Sequence, residues 1–344
     1  MVDPRIHARM LERLHPFTSL GLFLVLAAPL FLFAGEPSIA VVLLLLAHAF
    51  TLLEFRKYTS NFQFVMLLVT ATTLGMVLDL TYSAWPLLTL AGLLAASAII
   101  ARQAFMHRFT YVNMLWADTG LAALSLILYI IAVRTSSFHW DLWLAPLLPI
   151  SVAVGLTFSY VQDARHIKAQ ARRGYRVQLG AKAPEFELPD QEGNTVRLSE
   201  LVGRHPLLLI FVRGDWCPGC HMMLRTYERK RARFLEKGIH VVAIGPDNIE
   251  VNKDMVRRIG VSYKMLSDSE QRVSGQYGVV YNNPLVELGV DYAEGIPLPA
   301  SFLLDANGIV RYVSRPDRVG EFLDPELIFG VLDRIPANGQ VAWS

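Results

Sequence analysis

Long runs without charged residues are the feature that most constrains this chain. Between His15 and residue 162 the charges fall in short clusters, and a bilayer core of roughly 30 Å is crossed by about 20 helical residues. Composition agrees, because 53% of the residues are apolar, 18% are charged and the mean hydropathy is +0.36. We therefore predict six transmembrane helices, at the uncharged runs 16–35, 37–53, 58–78, 80–101 and 142–162 and at a further run from about Asn113 to residue 133.

The first apolar run has a second interpretation. A basic start and an apolar stretch ending in FLFAG are loosely typical of a secretory signal that is cleaved. The stretch is long for such a signal, so a retained helix is our main interpretation. Cleavage would leave five helices and place the new N-terminus outside. The C-terminal part would still lie inside.

Basic residues beside the helix ends predict the orientation. Lys and Arg resist translocation and accumulate on the cytoplasmic side. With six helices, twelve Lys and Arg residues lie on one side of the bilayer and only Arg134 lies on the other. We therefore predict that both termini and the C-terminal domain are cytoplasmic. The twelve residues are Arg5, Arg9, Arg13, Arg56, Lys57, Arg102, Arg108, Arg165, Lys168, Arg172, Arg173 and Arg176.

The composition changes after residue 162. The segment QDARHIKAQARRGYR is basic and compatible with a helix at the lipid headgroups, where each charge favours anionic lipid by about 1 kcal/mol. An equally good interpretation is that these residues only stop translocation. From about residue 179 the chain is typical of one soluble α/β domain. The predicted division is a transmembrane helical domain 1–162, a basic linker 163–178, an α/β domain 179–335 and a tail 336–344.

The order of elements in the α/β domain predicts a thioredoxin fold. A hairpin turns at Gly193, and the apolar run 207–212 is suited to a buried central strand. The cysteine motif follows at once, and then a charged helix closed by Gly238. A second buried strand at 239–245, a helix, a hairpin around ANG and a last helix complete the order.

The only two cysteines of the chain, Cys217 and Cys220, lie where the predicted central strand gives way to a helix. Free N–H groups at a helix N-terminus favour a thiolate, so we expect Cys217 to attack. Cys220 lies one turn deeper and is close enough to resolve a disulfide. Pro218 fits the first turn because its missing N–H is not needed there, and Gly219 admits a substrate backbone. Trp216 either covers the sulfur or packs at the end of the strand.

Three other interpretations of the pair stay open. The cysteines could be inert structural residues. They could attach a c-type haem, since Cys217, Cys220 and His221 fit C-x-x-C-H, although this would require export. Zinc would need a fourth ligand beyond these three. Our main expectation is that His221 lies on the surface of the helix and that the domain holds neither a metal nor a cofactor.

Several motifs occur in an order that is specific as a combination: GAKAPEFELPDQEGNTVRLSEL, FVRGDWCPGC, VVAIGPDN, MLSD, QYGVV and IPLPASFLLDANGIVRYV. Together they resemble the alkyl hydroperoxide reductase and thiol-specific antioxidant group of the thioredoxin superfamily. They are most similar to its peroxiredoxin-like members with Trp-Cys-Pro-x-Cys. The resemblance covers roughly residues 179–335. It implies an enzyme acting on a disulfide-bearing protein, a small thiol or a hydroperoxide; we expect no nucleic-acid partner, and the oligomeric state is left open.

The sequence departs from the family pattern at the peroxide-binding positions. Typical peroxiredoxins have Thr or Ser three residues before the attacking cysteine and an Arg before a Phe-x-x-Asp strand, where this chain has Gly214 and Pro299. The one nearby cation, Arg213, either serves the sulfur or faces solvent. We therefore predict that disulfide exchange outpaces peroxide reduction. The resemblance also implies a cis bond before Pro299 that faces the cysteines, and loop 281–295 is either a partner-selecting insertion or inert.

The membrane half contains no cysteine, so it does not relay electrons by thiol exchange. Its ionisable residues His48 and Asp118 are candidates for function because charge at such depth is costly. A b-type haem would need facing histidines, and His107 and His139 lie near helix ends. Anchoring, or a binding role of another kind, is the main expectation. The chain as a whole is predicted to be a membrane-anchored thiol-disulfide oxidoreductase of the peroxiredoxin-like kind, with a redox sensor or transporter-like protein as the alternative.

Overall fold

The computed structural model describes residues 15–55, 61–82, 85–104, 115–203, 205–282, 292, 294–314 and 325–333. The described residues fall into two units, one before residue 159 and the other from Ser159 onward. The predicted tail 336–344, most of loop 281–295 and His107 lie outside the described residues. The domain boundaries that the sequence suggests therefore remain predictions.

The first unit is helical, and each predicted span overlaps a helix. Five helical stretches are long and apolar enough to cross a membrane. The run 80–101 yields a shorter apolar helix than predicted, because the helix begins only after Pro86. The helices are α1 (Pro16–Phe33), α2 (Pro37–Phe55), α3 (Asn61–Tyr82), α4 (Leu87–Ala104), α5 (Leu115–Thr135), α6 (Trp140–Leu144) and α7 (Leu147–Arg173), of which the part from Ser159 belongs to the second unit.

His48 and Asp118, the candidate functional residues of this unit, are both buried and hydrogen-bonded. His48 on α2 is buried, and its Nδ1 lies 2.7 Å from Oγ1 of Thr70 on α3. The hydrogen-bond partner of His48 is thus a threonine rather than a second histidine. Asp118 lies in the first turn of α5, where its carboxylate accepts from the N–H of Thr119. His139 precedes α6, with its ring 4.3 Å from that of Tyr82.

The second unit is built on a five-stranded mixed sheet in the order β5-β4-β3-β8-β9. The central strand β3 pairs in parallel with β4 and antiparallel with β8. All five residues of β3 are buried, as the continuous apolar run predicts for a strand covered on both faces. This confirms the predicted thioredoxin-like α/β fold. The strands of the sheet are β3 (Leu207–Phe211), β4 (His240–Gly245), β5 (Lys264–Ser267), β8 (Ala300–Leu304) and β9 (Val310–Val313).

Two small antiparallel pairs stand outside the main sheet. The predicted hairpin is present, with Glu187 opposite Arg197 and with Gly193 at φ +85° in the turn. A second pair joins the two ends of loop 281–295 and was not predicted, because each strand has only two residues. The strands of these pairs are β1 (Glu187–Pro189), β2 (Thr195–Arg197), β6 (Val280–Tyr281) and β7 (Ile296–Pro297).

Helices cover both faces of the sheet, and the core side chains of β3 alternate between them. Phe211 packs with Tyr277 and Phe302 on one face, whereas Leu208 belongs to the cluster of the other face. The predicted single helix after the motif is interrupted at Lys230, whose ψ of 6° departs from helical geometry. The helices are α8 (Leu198–Leu201), α9 (Pro218–Arg229), α10 (Arg231–Glu236), α11 (Ile249–Ile259), α12 (Arg272–Tyr277) and α13 (Glu326–Leu332).

Candidate active site

The two cysteines lie at the N-terminus of α9, directly beyond the end of β3. Cys217 is the N-cap residue with extended backbone angles, and Pro218 occupies the first helical position. The sulfur of Cys217 accepts hydrogen bonds from the backbone N–H of Cys220 at 3.3 Å and from the thiol of Cys220 at 2.8 Å. Both donors point at the same sulfur, so a thiolate at Cys217 would be held at the positive end of the helix dipole.

The two sulfurs do not differ in exposure, and the pKa of Cys220 is shifted. The exposed fraction is 2% for Cys217 and 1% for Cys220, so both sulfurs are buried. Trp216, half-buried, packs against the hydrophobic clusters of both sheet faces. Burial raises the pKa of Cys220 well above its ordinary value, and the neighbouring Cys217 raises it further, while the N–H and charge of Arg213 oppose the shift. The Cys220 thiol therefore ionises less readily than an ordinary cysteine.

The chain before β8 completes this edge of the sheet. Pro299 precedes Ala300, which pairs with Phe211, so Pro299 lies at the edge from which the cysteine motif emerges. The bond between Leu298 and Pro299 is trans, and the predicted cis bond is wrong. The chain runs from β7 into β8 without a helical or turn conformation. No tight turn demands the cis form there, and the trans form of an X–Pro bond is favoured by about 0.5–1 kcal/mol.

The fold and the motif agree with a comparison against protein-family models. The model of the AhpC/TSA family matches residues 179–313. These residues form an AhpC/TSA-family domain. The peroxiredoxin-like, thioredoxin-fold assignment made from the motifs is thereby confirmed for this part of the chain.

Curated relatives of two kinds match the domain. Peroxiredoxin Q of rice (Oryza sativa subsp. japonica) is 29% identical over 138 residues, which is 40% of this chain and 59% of the relative. Peroxiredoxin Q of Sedum lineare is 29% identical over 162 residues, covering 46% and 82% of the two chains. Thiol-disulfide oxidoreductase ResA of Bacillus anthracis is 29% identical over 136 residues, covering 39% and 68%. The chain thus spans about three-fifths of the rice protein.

Among solved structures, peroxidoxin BcpB of Mycobacterium tuberculosis matches with a TM-score of 0.41 and 23% identity, over 47% of this chain and 99% of that chain. A peroxiredoxin Q of Xanthomonas campestris matches with a TM-score of 0.39 and 18% identity, over 46% and 95%.

Arg213 of the AhpC/TSA domain is buried, and its guanidinium is paired with a carboxylate. It is 3% exposed, and its Nη1 and Nη2 donate to the two carboxylate oxygens of Asp163 at 2.6 and 2.8 Å. Nη2 also donates to the hydroxyl of Tyr281 at 2.6 Å. Removing one partner of a buried ion pair typically costs about 3–5 kcal/mol, because the other charge is left uncompensated. The expectation that Arg213 faces solvent is therefore wrong, because its guanidinium is buried against Asp163.

The space above Gly214 is occupied by a tyrosine. Gly214 has φ +121°, which side chains rarely adopt, and a Cβ built on it would lie 1.9 Å from the hydroxyl oxygen of Tyr292. That hydroxyl donates to the carboxylate of Asp247 at 2.9 Å, and the other oxygen of Asp247 accepts from the N–H of Asp215. Burial raises the pKa of Asp247 above its ordinary value. A residue of loop 281–295 thus reaches the strand-to-helix turn.

His221 is a buried member of a charged cluster rather than a surface residue. Its exposed fraction is 6%, and its Nε2 lies 3.0 Å from a carboxylate oxygen of Asp215. Arg258 donates to both oxygens of the same carboxylate. Burial alone would raise the pKa of Asp215, but the hydrogen bonds from His221 and Arg258 bring it below the ordinary value. A haem iron would therefore compete with Asp215 for Nε2 of His221.

Sequence reasoning missed most of these partners. Asp163 carried a usable signal, since it is the one acidic residue of the basic segment 163–178. Tyr281 and Tyr292 carried none, because aromatic residues in a loop are ordinary. Within the described residues, no group of three or more His, Cys, Asp or Glu side chains is placed to hold a metal ion.

Replacing Gly214 with Ala is expected to lower the free energy of unfolding by about 1–3 kcal/mol, because the new Cβ meets the Tyr292 hydroxyl at an unfavourable φ. The measurement is the thermal midpoint of the purified full chain in detergent. The control is Gly214→Ala combined with Tyr292→Phe, which removes the clashing oxygen and should recover part of the loss. Equal midpoints for Gly214→Ala and the unmodified chain would contradict the placement of Tyr292.

Proposed function

We propose that this chain is a membrane-anchored thiol-disulfide oxidoreductase whose AhpC/TSA domain uses Cys217 to attack and Cys220 to resolve. The observation that carries the proposal is the pair of sulfurs 2.8 Å apart at the N-cap of α9, with both donors directed at Cys217. A small approach from that distance to about 2.05 Å closes a disulfide. The relatives are named peroxiredoxins and a thiol-disulfide oxidoreductase, which supports the same chemistry.

The proposed reaction transfers two electrons from the dithiol to a substrate disulfide. The Cys217 thiolate attacks one substrate sulfur, a mixed disulfide forms and the other substrate sulfur leaves as a thiolate. Cys220 then loses its proton and attacks Cys217, so that the Cys217–Cys220 disulfide forms and the second substrate thiolate is released. With a hydroperoxide, Cys217 would become a sulfenic acid as the alcohol leaves, and Cys220 would release water.

The proposal is tested by incubating the reduced full chain with a model disulfide and mapping its sulfurs by mass spectrometry. We expect a Cys217–Cys220 disulfide together with two equivalents of substrate thiol. Substrate consumption without loss of the two free thiols would contradict the proposal.

The apolar helices of the first unit are proposed to anchor the enzyme, with the AhpC/TSA domain in the cytoplasm. Five stretches with the length and composition of a membrane span support anchoring. The twelve-to-one asymmetry of Lys and Arg in the sequence supports the sidedness. A disulfide-bearing protein or small thiol would then reach Cys217 from the cytoplasm.

Reporter fusions test the topology. A cytoplasm-only reporter fused after residue 176 or at the C-terminus is expected to be active, and a periplasm-only reporter at the same sites is expected to be silent. A fusion in the segment around Arg134 is the matched control and should give the reverse result. Periplasmic activity after residue 176 would contradict the proposed topology and favour the c-type haem alternative.

A further inference from the structure

The ion pair between Asp163 and Arg213 is connected to the redox pair through Arg213. The backbone N–H of Arg213 donates to the sulfur of Cys220 at 3.4 Å. The carbonyl of Arg213 accepts from Nε1 of Trp216 at 3.1 Å, and its guanidinium lies 4.7 Å from the centre of the Trp216 ring. Arg213 thus contacts the resolving sulfur and the tryptophan beside the attacking one.

The other side of Arg213 is held by groups that leave it little freedom. Asp163 binds the guanidinium through two hydrogen bonds, and the hydroxyl of Tyr281 bridges the pair by accepting from Nη2 and donating to Asp163 at 2.8 Å. All three side chains are buried, with exposed fractions of 3–6%. In a site that excludes water, a charge acts strongly on its neighbours because the local dielectric is low.

We propose that Asp163 is a positioning residue of the redox site: through Arg213 it sets the stability of the thiolate form of the Cys217–Cys220 pair, and with it the equilibrium between dithiol and disulfide. The inference rests on the proposed function and adds a residue 50 positions before Arg213 to the machinery. Asp163 lies on helix α7, outside the part of the chain that the family model matches.

The two charges act in opposite directions. The Arg213 cation favours a thiolate and therefore the reduced pair, and the Asp163 carboxylate offsets that effect. Asp163→Asn is expected to shift the equilibrium towards the dithiol, and Arg213→Met towards the disulfide. Each shift should be about tenfold, which is about 30 mV for a two-electron couple. The double variant removes both charges and should lie within about threefold of the unmodified protein.

The experiment equilibrates the full chain in detergent with reduced and oxidised glutathione. Oxidised glutathione takes two electrons and two protons from the dithiol and becomes two molecules of glutathione. The ratio of dithiol to disulfide is read by alkylation and mass spectrometry. Emission from Trp216, obtained by difference against Trp216→Phe, is the second readout and should change in Arg213→Met and in the double variant.

The matched control is the exposed ion pair Arg197–Glu187 on the hairpin, whose side chains are 54% and 56% exposed. Arg197→Met and Glu187→Gln should leave the equilibrium unchanged. Shifts of the same sign in the two single variants would overturn the proposal, since a merely structural pair predicts a common direction. If a single variant does not fold, the double variant leaves no unpaired buried charge. In that variant, a tenfold shift of the equilibrium between dithiol and disulfide would overturn the proposal, and so would an unchanged Trp216 emission.

The unmodified chain separates this inference from the proposed function. If it forms no Cys217–Cys220 disulfide in the glutathione buffer, the proposed function fails. If that disulfide forms but the single variants do not shift in opposite directions, only the role of Asp163 fails.

Discussion

Replacing Cys217 with Ser is expected to abolish disulfide turnover, lowering the rate by about a thousandfold or more, because a hydroxyl at neutral pH is a far weaker nucleophile than a thiolate. Cys220→Ser should keep the first attack and accumulate a mixed disulfide on Cys217, since the resolving sulfur is gone. Stopped-flow kinetics and intact mass measure the two variants. The two variants are matched controls for each other, because both sulfurs are buried and each substitution replaces sulfur with oxygen.

The outcome also separates an enzyme from a membrane redox sensor. A sensor or transporter-like protein would retain its main activity in Cys217→Ser, with that activity depending instead on His48 or Asp118. A mixed disulfide on Cys220 in the Cys217→Ser variant, formed as fast as the one on Cys217, would reverse the assigned roles.

Hydrogen peroxide and organic hydroperoxides are expected to oxidise Cys217 no faster than they oxidise a free thiolate, whereas a model disulfide reacts readily. Charge develops on oxygen as the O–O bond breaks, and preorganised hydrogen-bond donors stabilise it. Without such donors the rate of peroxide reduction falls by on the order of 100-fold or more. Gly214 offers no side-chain donor, and the space of its Cβ is filled by the hydroxyl of Tyr292. The nearby cation of Arg213 is already paired with Asp163.

Stopped-flow oxidation of the reduced chain by the two kinds of peroxide and by the disulfide decides between these reactions. Cys220→Ser isolates the first step and is the control for resolution. A peroxide rate constant far above that of a free thiolate, lost in Cys217→Ser, would show a peroxidase in which another group replaces the missing donors. The Tyr292 hydroxyl would then be the first group to substitute, because it lies where a side chain on Gly214 would lie.

The elements that the sequence predicted well are those with a local signal. The buried strand Leu207–Phe211 follows from an unbroken apolar run, and the hairpin turn follows from Gly193. Even so, a local signal overstated the extent of two elements. The helix after the motif stops at Lys230 and resumes, and the span from residue 80 begins only at Leu87.

The site likewise has features with a local signal in the sequence and features without one. The position of Cys217 at a helix N-terminus follows from a strand, a Pro and a helix in order, all within about a dozen residues. The environment of the sulfurs does not follow from any local pattern. His221 was expected at the surface, and Arg213 was expected either at the sulfur or facing solvent. Each is instead buried against a carboxylate that no local pattern connects to it.

The sequence by itself determined a set of apolar helices, a thioredoxin-like order of elements and a cysteine pair at a strand-to-helix junction, because each depends on neighbours within one or two turns. Only the tertiary structure decided which charges face the pair. Asp163 and Arg213 are 50 residues apart, and Tyr292 reaches Gly214 from a loop after β6. Contacts of this kind depend on how packed elements bring distant side chains within a few ångströms, and a buried charge is stabilised only by the partner that packing supplies.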